Sequence, residues 1–188
     1  YEEPYHHLSA NFILAKRAFQ NNLKVVLNGL GGDELFGGYD VYYKLAFWKH
    51  LKKWNTILKY TPEIHPKIKK IKEISSYQNT AAFYSHYYTS YNDIEISKLF
   101  KSPNSFNTKD CISKLYNPNN LTFFDDFEAI SFFNLKSYIS NHQMRTVDQS
   151  TMHFSIEGRF PLLDHKFIET AYKIPSKYKL KNNTQKYN

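Results

Sequence analysis

The stretch from residue 24 to 40, KVVLNGLGGDELFGGYD, limits what this chain can fold into more than any other. It runs a β-branched apolar pair into a glycine turn, then into two acids and a second Gly-Gly. Gly29, Gly31, Gly32, Gly37 and Gly38 are five of the six glycines in 188 residues. Glycine serves where the backbone must take positive φ, or where something must approach the main chain closely. Lys24 to Leu27 reads as a short buried strand, so the glycines that follow it describe a ligand-facing loop. A helical pattern precedes the strand and another follows, which places it in a parallel sheet.

Most of the remaining chain has helical periodicity. Residues His7 to Asn21 carry Leu8, Phe12, Ala15 and Phe19 on one face and stop at Asn21-Asn22. Asp33 to Phe36 opens a second helix or turn, and aromatic residues recur helically from Val41 to Leu51. The Pro62 to Pro66 stretch then precedes the run KIKKIKEI, where Ile68, Ile71 and Ile74 alternate with lysines. That run reads as a solvated amphipathic helix. Further helices are expected at Asn79 to Ser90, Asn92 to Leu99 and Leu121 to Asn141, the last capped by Asn120. Lys101 to Thr108 reads as a loop, and Asp164 caps a helix through Ala171. One strand among so many helices needs partners. The expectation is that its sheet lies upstream of Tyr1.

Composition narrows the class. Hydrophobic residues make up 41% and charged residues 22%, which fits a folded domain rather than a disordered one. No apolar run is long enough to span a bilayer, and no signal-peptide pattern is present. The single cysteine, Cys111, excludes an internal disulfide framework and fits a reducing, cytoplasmic setting. Net charge is +8, which suits a polyanionic partner. No recognition motif for DNA or RNA accompanies it, so nucleic acid is not the expected partner.

Two constellations carry chemistry. In the first, backbone N–H groups of the glycine turn could cradle phosphate oxygens, with the start of the following helix adding positive potential. Asp33 and Glu34 would repel phosphate unless a carboxylate there holds Mg²⁺, which favours one or two carboxylates plus phosphate oxygens. The competing reading is a plain strand-to-helix turn in which Asp33 caps the helix. It is neither a Walker loop nor a dinucleotide fingerprint. The second constellation is Ser150 to Tyr187. There Glu157 and Arg159 read as a packed ion pair before Pro161 forces a turn. Lys177, Lys179, Lys181 and Lys186 follow, either solvent-facing or meeting an anion.

Together these segments resemble a known family. VVLNGLGGDELFGGYD is similar to the VVLSGxGxDELFGGY segment of glutamine-dependent asparagine synthetases. MRTVDQSTMHFSIEGRFPLLDHKFIETAYKIPSKYKL is similar to their LLRxDRxSMAxSxExRxPFLDHxLVExAxxLPxxYKL segment. Glu3-Pro4 and Ser9 sit where that family has EPxxDPS. The resemblance is close at both ends and slight from Lys44 to Leu115.

The resemblance implies a fold that is mostly α within an α/β architecture. It would be the back part of an adenine-nucleotide α-hydrolase-like (ATP pyrophosphatase) domain, spanning 1–188. It implies an ATP-dependent ligase that adenylates the aspartate side chain, releases pyrophosphate and admits ammonia made from glutamine by a separate glutaminase domain. By motif position, Asn28, Gly29, Gly31 and Gly32 would bind nucleotide. Asp33 would serve Mg²⁺-pyrophosphate, and Lys186 would neutralise the leaving pyrophosphate. Glu34, Asp148, Glu157 and Arg159 would be structural or substrate-adjacent. A homodimer is compatible with this reading.

The chain also departs from the family pattern. The SGGxDS pyrophosphate loop and the N-terminal catalytic cysteine are absent, so these residues alone should not catalyse the reaction. Asn28 replaces the usual Ser, His7 stands where EPxxDPS has Asp, and Leu30 stands where the best-known members carry a Glu. Leu30 keeps open a relative that amidates another carboxylate, a sugar acid or a peptide. A non-catalytic remnant of the fold is the third reading.

Overall fold

The strand expected at residues 24–27 forms, though exposed at Val25 and Leu27 and not buried as expected, and it has a partner that the sequence concealed. In the computed structural model, which describes residues 8–62, 65–77, 79–88, 93–100 and 125–180, β1 (Val25–Leu27) pairs in parallel with β2 (Glu157–Arg159). The register sets Val25 opposite Glu157, Val26 opposite Gly158 and Leu27 opposite Arg159. Asn28 N donates to Arg159 O at 2.8 Å and extends the pairing by one bond past β1. The lone strand expected from the sequence is therefore corrected. Sequence reasoning missed β2 because Glu-Gly-Arg has no β-branched or aromatic residue, and glycine at its centre weakens any strand signal.

The chain divides into two compact units, residues 1–38 with 131–188, and residues 39–130. In the first unit, α1 (Leu8–Gln20) packs on α9 (Met144–Met152). Small side chains permit this: Ala15 and Ala18 are buried on α1, as are Thr146, Ser150 and Thr151 on α9. The three hydroxyls donate to carbonyls one turn back, Thr146 to His142, Ser150 to Thr146 and Thr151 to Val147, so burial leaves no polar group unmatched there. The β2 backbone lies against the same helix. A Cβ at Gly158 would sit 3.4 Å from Thr151 Oγ1 and 3.8 Å from a Val147 methyl.

Helix α1 ends where the sequence said it would. Asn22 takes a left-handed conformation (φ 57°), and Leu23 N donates back to Ala18 O at 3.1 Å. Asparagine tolerates that region better than most side chains.

In the second unit, α3 (Asp40–Lys53) buries Val41, Tyr42, Leu45 and Trp48 on one face. Tyr42 packs on Phe127 with centroids 4.6 Å apart, and Trp48 stacks on Phe83 of α6 (Thr80–Tyr88) at 5.0 Å. Of the aromatic residues that recur through 41–51, Tyr42 and Trp48 are thus core, whereas Phe47 is exposed. Helix α4 (Asn55–Lys59) follows, then the basic helix α5 (Pro66–Ser76), begun by His65, whose Nδ1 accepts from Lys67 N at 3.1 Å. Helix α7 (Asp93–Leu99) matches the expected 92–99 segment.

The long helix expected at 121–141 is present in altered form. Helix α8 (Asp126–Phe133) gives way to a π-helical stretch, Asn134–Gln143, which runs directly into α9. Asp125 caps α8, its Oδ1 accepting Glu128 N at 3.0 Å. Asn120, Cys111 and the expected loop at 101–108 lie outside the described residues.

Candidate functional site

Ligands of parallel sheets bind beyond the carboxyl ends of the strands. Both carboxyl ends of this pair lead into the segments that the sequence singled out. From β1 the chain enters the loop Asn28–Gly31, then α2 (Gly32–Phe36). From β2 it passes Phe160 into a 3₁₀ turn (Pro161–Leu163), then α10 (His165–Lys173). The two motifs, more than 100 residues apart in sequence, meet at this point.

The loop is shaped by its own side chains. Asn28 Oδ1 accepts Leu30 N at 3.0 Å, a turn that asparagine makes readily. Gly31 takes φ +100°, which only glycine adopts at low cost. A Cβ there would also fall 2.6 Å from Leu163 Cδ2 and 3.2 Å from Leu162 O, so the space beside it is tight as well. Gly29 meets nothing within 4 Å of such a Cβ, so its outer side is open. Gly31 and Gly32 thus rest on Leu162 and Leu163, while Asn28 and Gly29 lead into them from β1.

The two acids diverge. Glu34 is 1% exposed, and its Oε2 accepts the Gly31 N–H at 3.1 Å. Asp33 lies on the other side of α2, against the turn that ends the helix. Gly37 closes that turn with φ 72°, and Gly38 N donates to Asp33 O at 2.9 Å. At five residues, α2 carries little of the aligned dipole expected from the sequence. Asp33 does not serve as its cap, because Gly31 occupies that position.

Glu157 and Arg159 do pair, Nε to Oε1 at 2.8 Å, but the pair is exposed and not packed. Being two apart on β2, they share one face of the strand. The Arg159 guanidinium holds the Glu157 carboxyl below the usual glutamate range, and the carboxylate raises Arg159 in turn. Asp148 is exposed on α9. Asp164 caps α10 as expected, its Oδ1 accepting Lys166 N at 2.9 Å. Lys186 and Lys181 lie outside the described residues, as do Glu3, Pro4 and His7.

One lysine breaks the expectation of a solvated run. Lys177 is exposed, but Lys179 of α11 (Ser176–Lys179) is 4% exposed, with Nζ 5.5 Å from the centroid of the Tyr172 ring. Tyr172 in turn donates its hydroxyl to Ser131 Oγ at 3.1 Å. The alternation Lys177-Tyr178-Lys179 held no sign of which cation would turn inward.

Among the described residues, no group of three or more His, Cys, Asp or Glu converges to hold a metal ion. A metal at this loop would therefore rely on Asp33 together with oxygens brought by a ligand, the arrangement that Mg²⁺ accepts and a dedicated protein cage does not need. Among the same residues, no helix is long and apolar enough to cross a membrane.

The family model for asparagine synthase matches residues 1–188. A curated relative, asparagine synthetase [glutamine-hydrolyzing] 1 of Bacillus subtilis (strain 168), is 29% identical over 192 residues, covering 94% of this chain. The chain spans 28% of that relative's length. No solved structure matches significantly.

Proposed function

Since the chain belongs to the asparagine synthase family, we propose that it forms part of an ATP-dependent ligase that adenylates a carboxylate and converts it to an amide. Aspartate is the substrate this reading favours, with ammonia drawn from a glutaminase domain elsewhere in the full-length protein. The observation that carries the proposal is the meeting of the two motifs: Asn28 N bonds Arg159 O, and Gly31 rests on Leu163 beyond the carboxyl ends of β1 and β2.

In this reading the open side of Gly29 admits the nucleotide, and the main chain of Asn28 to Gly32 approaches its phosphates. Asp33 is the residue that would hold Mg²⁺, which when bound supplies charge neutralisation for the pyrophosphate group. Lys186 supplies a fixed positive charge for the same leaving group, the kind of preorganised contribution that ranks among the larger catalytic terms. Asp148, Glu157 and Arg159 flank the carboxylate side or support it. The remaining sheet and the SGGxDS loop would come from sequence outside these 188 residues. Exposure of Val25 (40%) and Leu27 (73%) supports this, because strands of parallel sheets are ordinarily covered on both faces. A cytoplasmic, homodimeric enzyme fits the same picture.

Leu30 favours a second reading, amidation of a sugar acid or a peptide carboxylate. Its hydrocarbon side chain cannot take a proton from an attacking amine. The deciding experiment is ATP–pyrophosphate exchange by the full-length protein with aspartate, sugar acids and peptide acids as separate substrates. Aspartate-dependent exchange with AMP release supports the first reading. Exchange driven only by another acid replaces aspartate, and no exchange with any acid removes the ligase reading.

A further inference from the structure

Glu34 has a buried carboxylate that the proposed chemistry does not use. It sits three residues after Gly31, inside the only turn of α2, and is 1% exposed. Carboxylates seldom enter a protein interior without a specific polar partner. Here Oε2 accepts the Gly31 N–H at 3.1 Å, across a peptide held at φ +100°. Because an N–H of a helix's first turn has no partner within the helix, a side-chain acceptor at that place selects one orientation of the peptide.

We infer that Glu34 is a positioning residue for the nucleotide loop. Its carboxylate fixes the Gly31 peptide and thereby the path from Asn28 to Gly32. The inference rests on the ligase reading for its catalytic consequence, though not for its structural one. Besides its main-chain bonds, among them Asn28 N to Arg159 O and Leu35 N to Gly31 O, the loop meets three side chains that bear on its shape. Asn28 Oδ1 holds Leu30 N, Leu163 closes the space beside Gly31, and Glu34 holds Gly31 N. The first two make no hydrogen bond to the Gly31 peptide. Only the third grips its N–H. The adjacent acid is turned elsewhere, since the Asp33 carboxylate lies against Gly38 at the opposite end of α2. The Asp-Glu pair thus divides, one carboxylate seated beside Gly38 and one anchoring the loop from behind.

The test uses the full-length protein carrying Glu34→Ala and Glu34→Gln. Glutamine keeps an oxygen able to accept the Gly31 N–H, and alanine does not. Misplacing a positioning element by about 1 Å can cost on the order of 10²-fold in rate. Glu34→Ala should therefore lower kcat/KM for ATP in pyrophosphate exchange by roughly tenfold to hundredfold, mainly through KM. Glu34→Gln should recover to within about threefold of the parent. Urea-unfolding midpoints of both variants should stay close to that of the parent, which separates loop misplacement from unfolding. Equal loss in the two variants would show that the charge itself acts on the ligand, and would overturn the inference. Crystal structures of both variants provide a readout independent of catalysis. The Gly31 peptide should rotate in Glu34→Ala and keep its orientation in Glu34→Gln. An unmoved peptide in Glu34→Ala also overturns the inference, whether or not the parent protein exchanges pyrophosphate. Absence of exchange in the parent would instead count against the ligase reading alone.

Discussion

The Asp33 carboxylate occupies the space that a side chain at position 38 would fill: a Cβ built on Gly38 would lie 2.0 Å from Asp33 Oδ1 and 2.5 Å from Cγ. Gly38 does not have the positive φ of its neighbour Gly37. Its glycine character is explained by room for one carboxylate, and not by backbone geometry.

Gly38→Ala should therefore act through Asp33. Overpacking of this kind typically costs about 1–3 kcal/mol, and the carboxylate that leaves its seat is the one assigned to the phosphate side. In the full-length protein, the substitution should lower pyrophosphate exchange about tenfold or more and raise the Mg²⁺ level needed for half-maximal rate. The stability cost should shrink in an Asp33→Ala background, since two of the three short contacts are to atoms beyond Cβ. Equal costs in the two backgrounds, measured by urea unfolding, would show that Gly38 is required for some other reason.

A second prediction concerns acid stability. Asp126 is part-buried, and Lys49 Nζ approaches Oδ2 at 2.6 Å while Thr80 donates its hydroxyl to Oδ1. Burial pushes the Asp126 pKa up, but the bonds from Lys49 and Thr80 and the charges of Lys49 and Lys52 outweigh it, and the net shift is downward. A folded pKa below the unfolded one stabilises the fold above the unfolded value, about 3.9. That contribution is lost as pH falls through the folded pKa. Because Lys49 is half-exposed, the whole effect should be about 1 kcal/mol. Asp126→Asn should thus unfold more easily than the parent at pH 7 and approach it once the pH falls through the lowered Asp126 pKa. A gap that stays constant across this range would show that the carboxylate charge is not what matters.

The sequence revealed those parts of the site where one residue type has one physical reason to be there. The glycine cluster could be read as a turn and Asp164 as a cap, because local backbone geometry dictates them, although only the structure shows that Gly31 and Gly37 are the left-handed positions. The α1 boundary was legible for the same reason. The β2 strand was not, since its existence depends on a tertiary pairing with β1 and on packing of Gly158 against α9. The change from α- to π-helix at Asn134 leaves no mark in apolar spacing. Glu34 and Asp33 looked equivalent as neighbouring acids. Only the fold of a five-residue helix shows that one is buried and the other is not. Lys179 belongs with them, a cation turned inward by the short helix after Pro175.

Asp33 and Lys186 should also separate experimentally, because they would serve the same phosphates for opposite reasons. Asp33→Asn should weaken exchange chiefly through metal affinity and be partly restored by added Mg²⁺. Lys186→Ala should depress adenylation by roughly 10²-fold or more, the scale for loss of one preorganised charge-stabilising group, with no rescue by metal. Lys186→Arg should recover only part, since a planar fork differs from a compact point charge. Exchange measured at two Mg²⁺ levels checks all three variants. Parent-like rates in Asp33→Asn and Lys186→Ala would remove both assignments.

Leu30 invites the last test. Its backbone N–H is engaged by Asn28 Oδ1, and its side chain is half-buried. If ammonia attacks an acyl-adenylate here, the nitrogen must shed a proton during attack. A hydrocarbon cannot accept it, so another base, the substrate or water must do so. Leu30→Ala should then change activity only through packing, with the pH–rate profile of amide synthesis superimposable on that of the parent after scaling. Leu30→Glu adds a group that titrates near pH 4.3 when solvated and higher if partly buried. If the nucleophile passes over this position, Leu30→Glu should add a new acidic limb to the profile. A displaced profile in Leu30→Ala would show that the leucine shapes the environment of the true base. An unaltered profile in Leu30→Glu would place the path of the nucleophile away from residue 30.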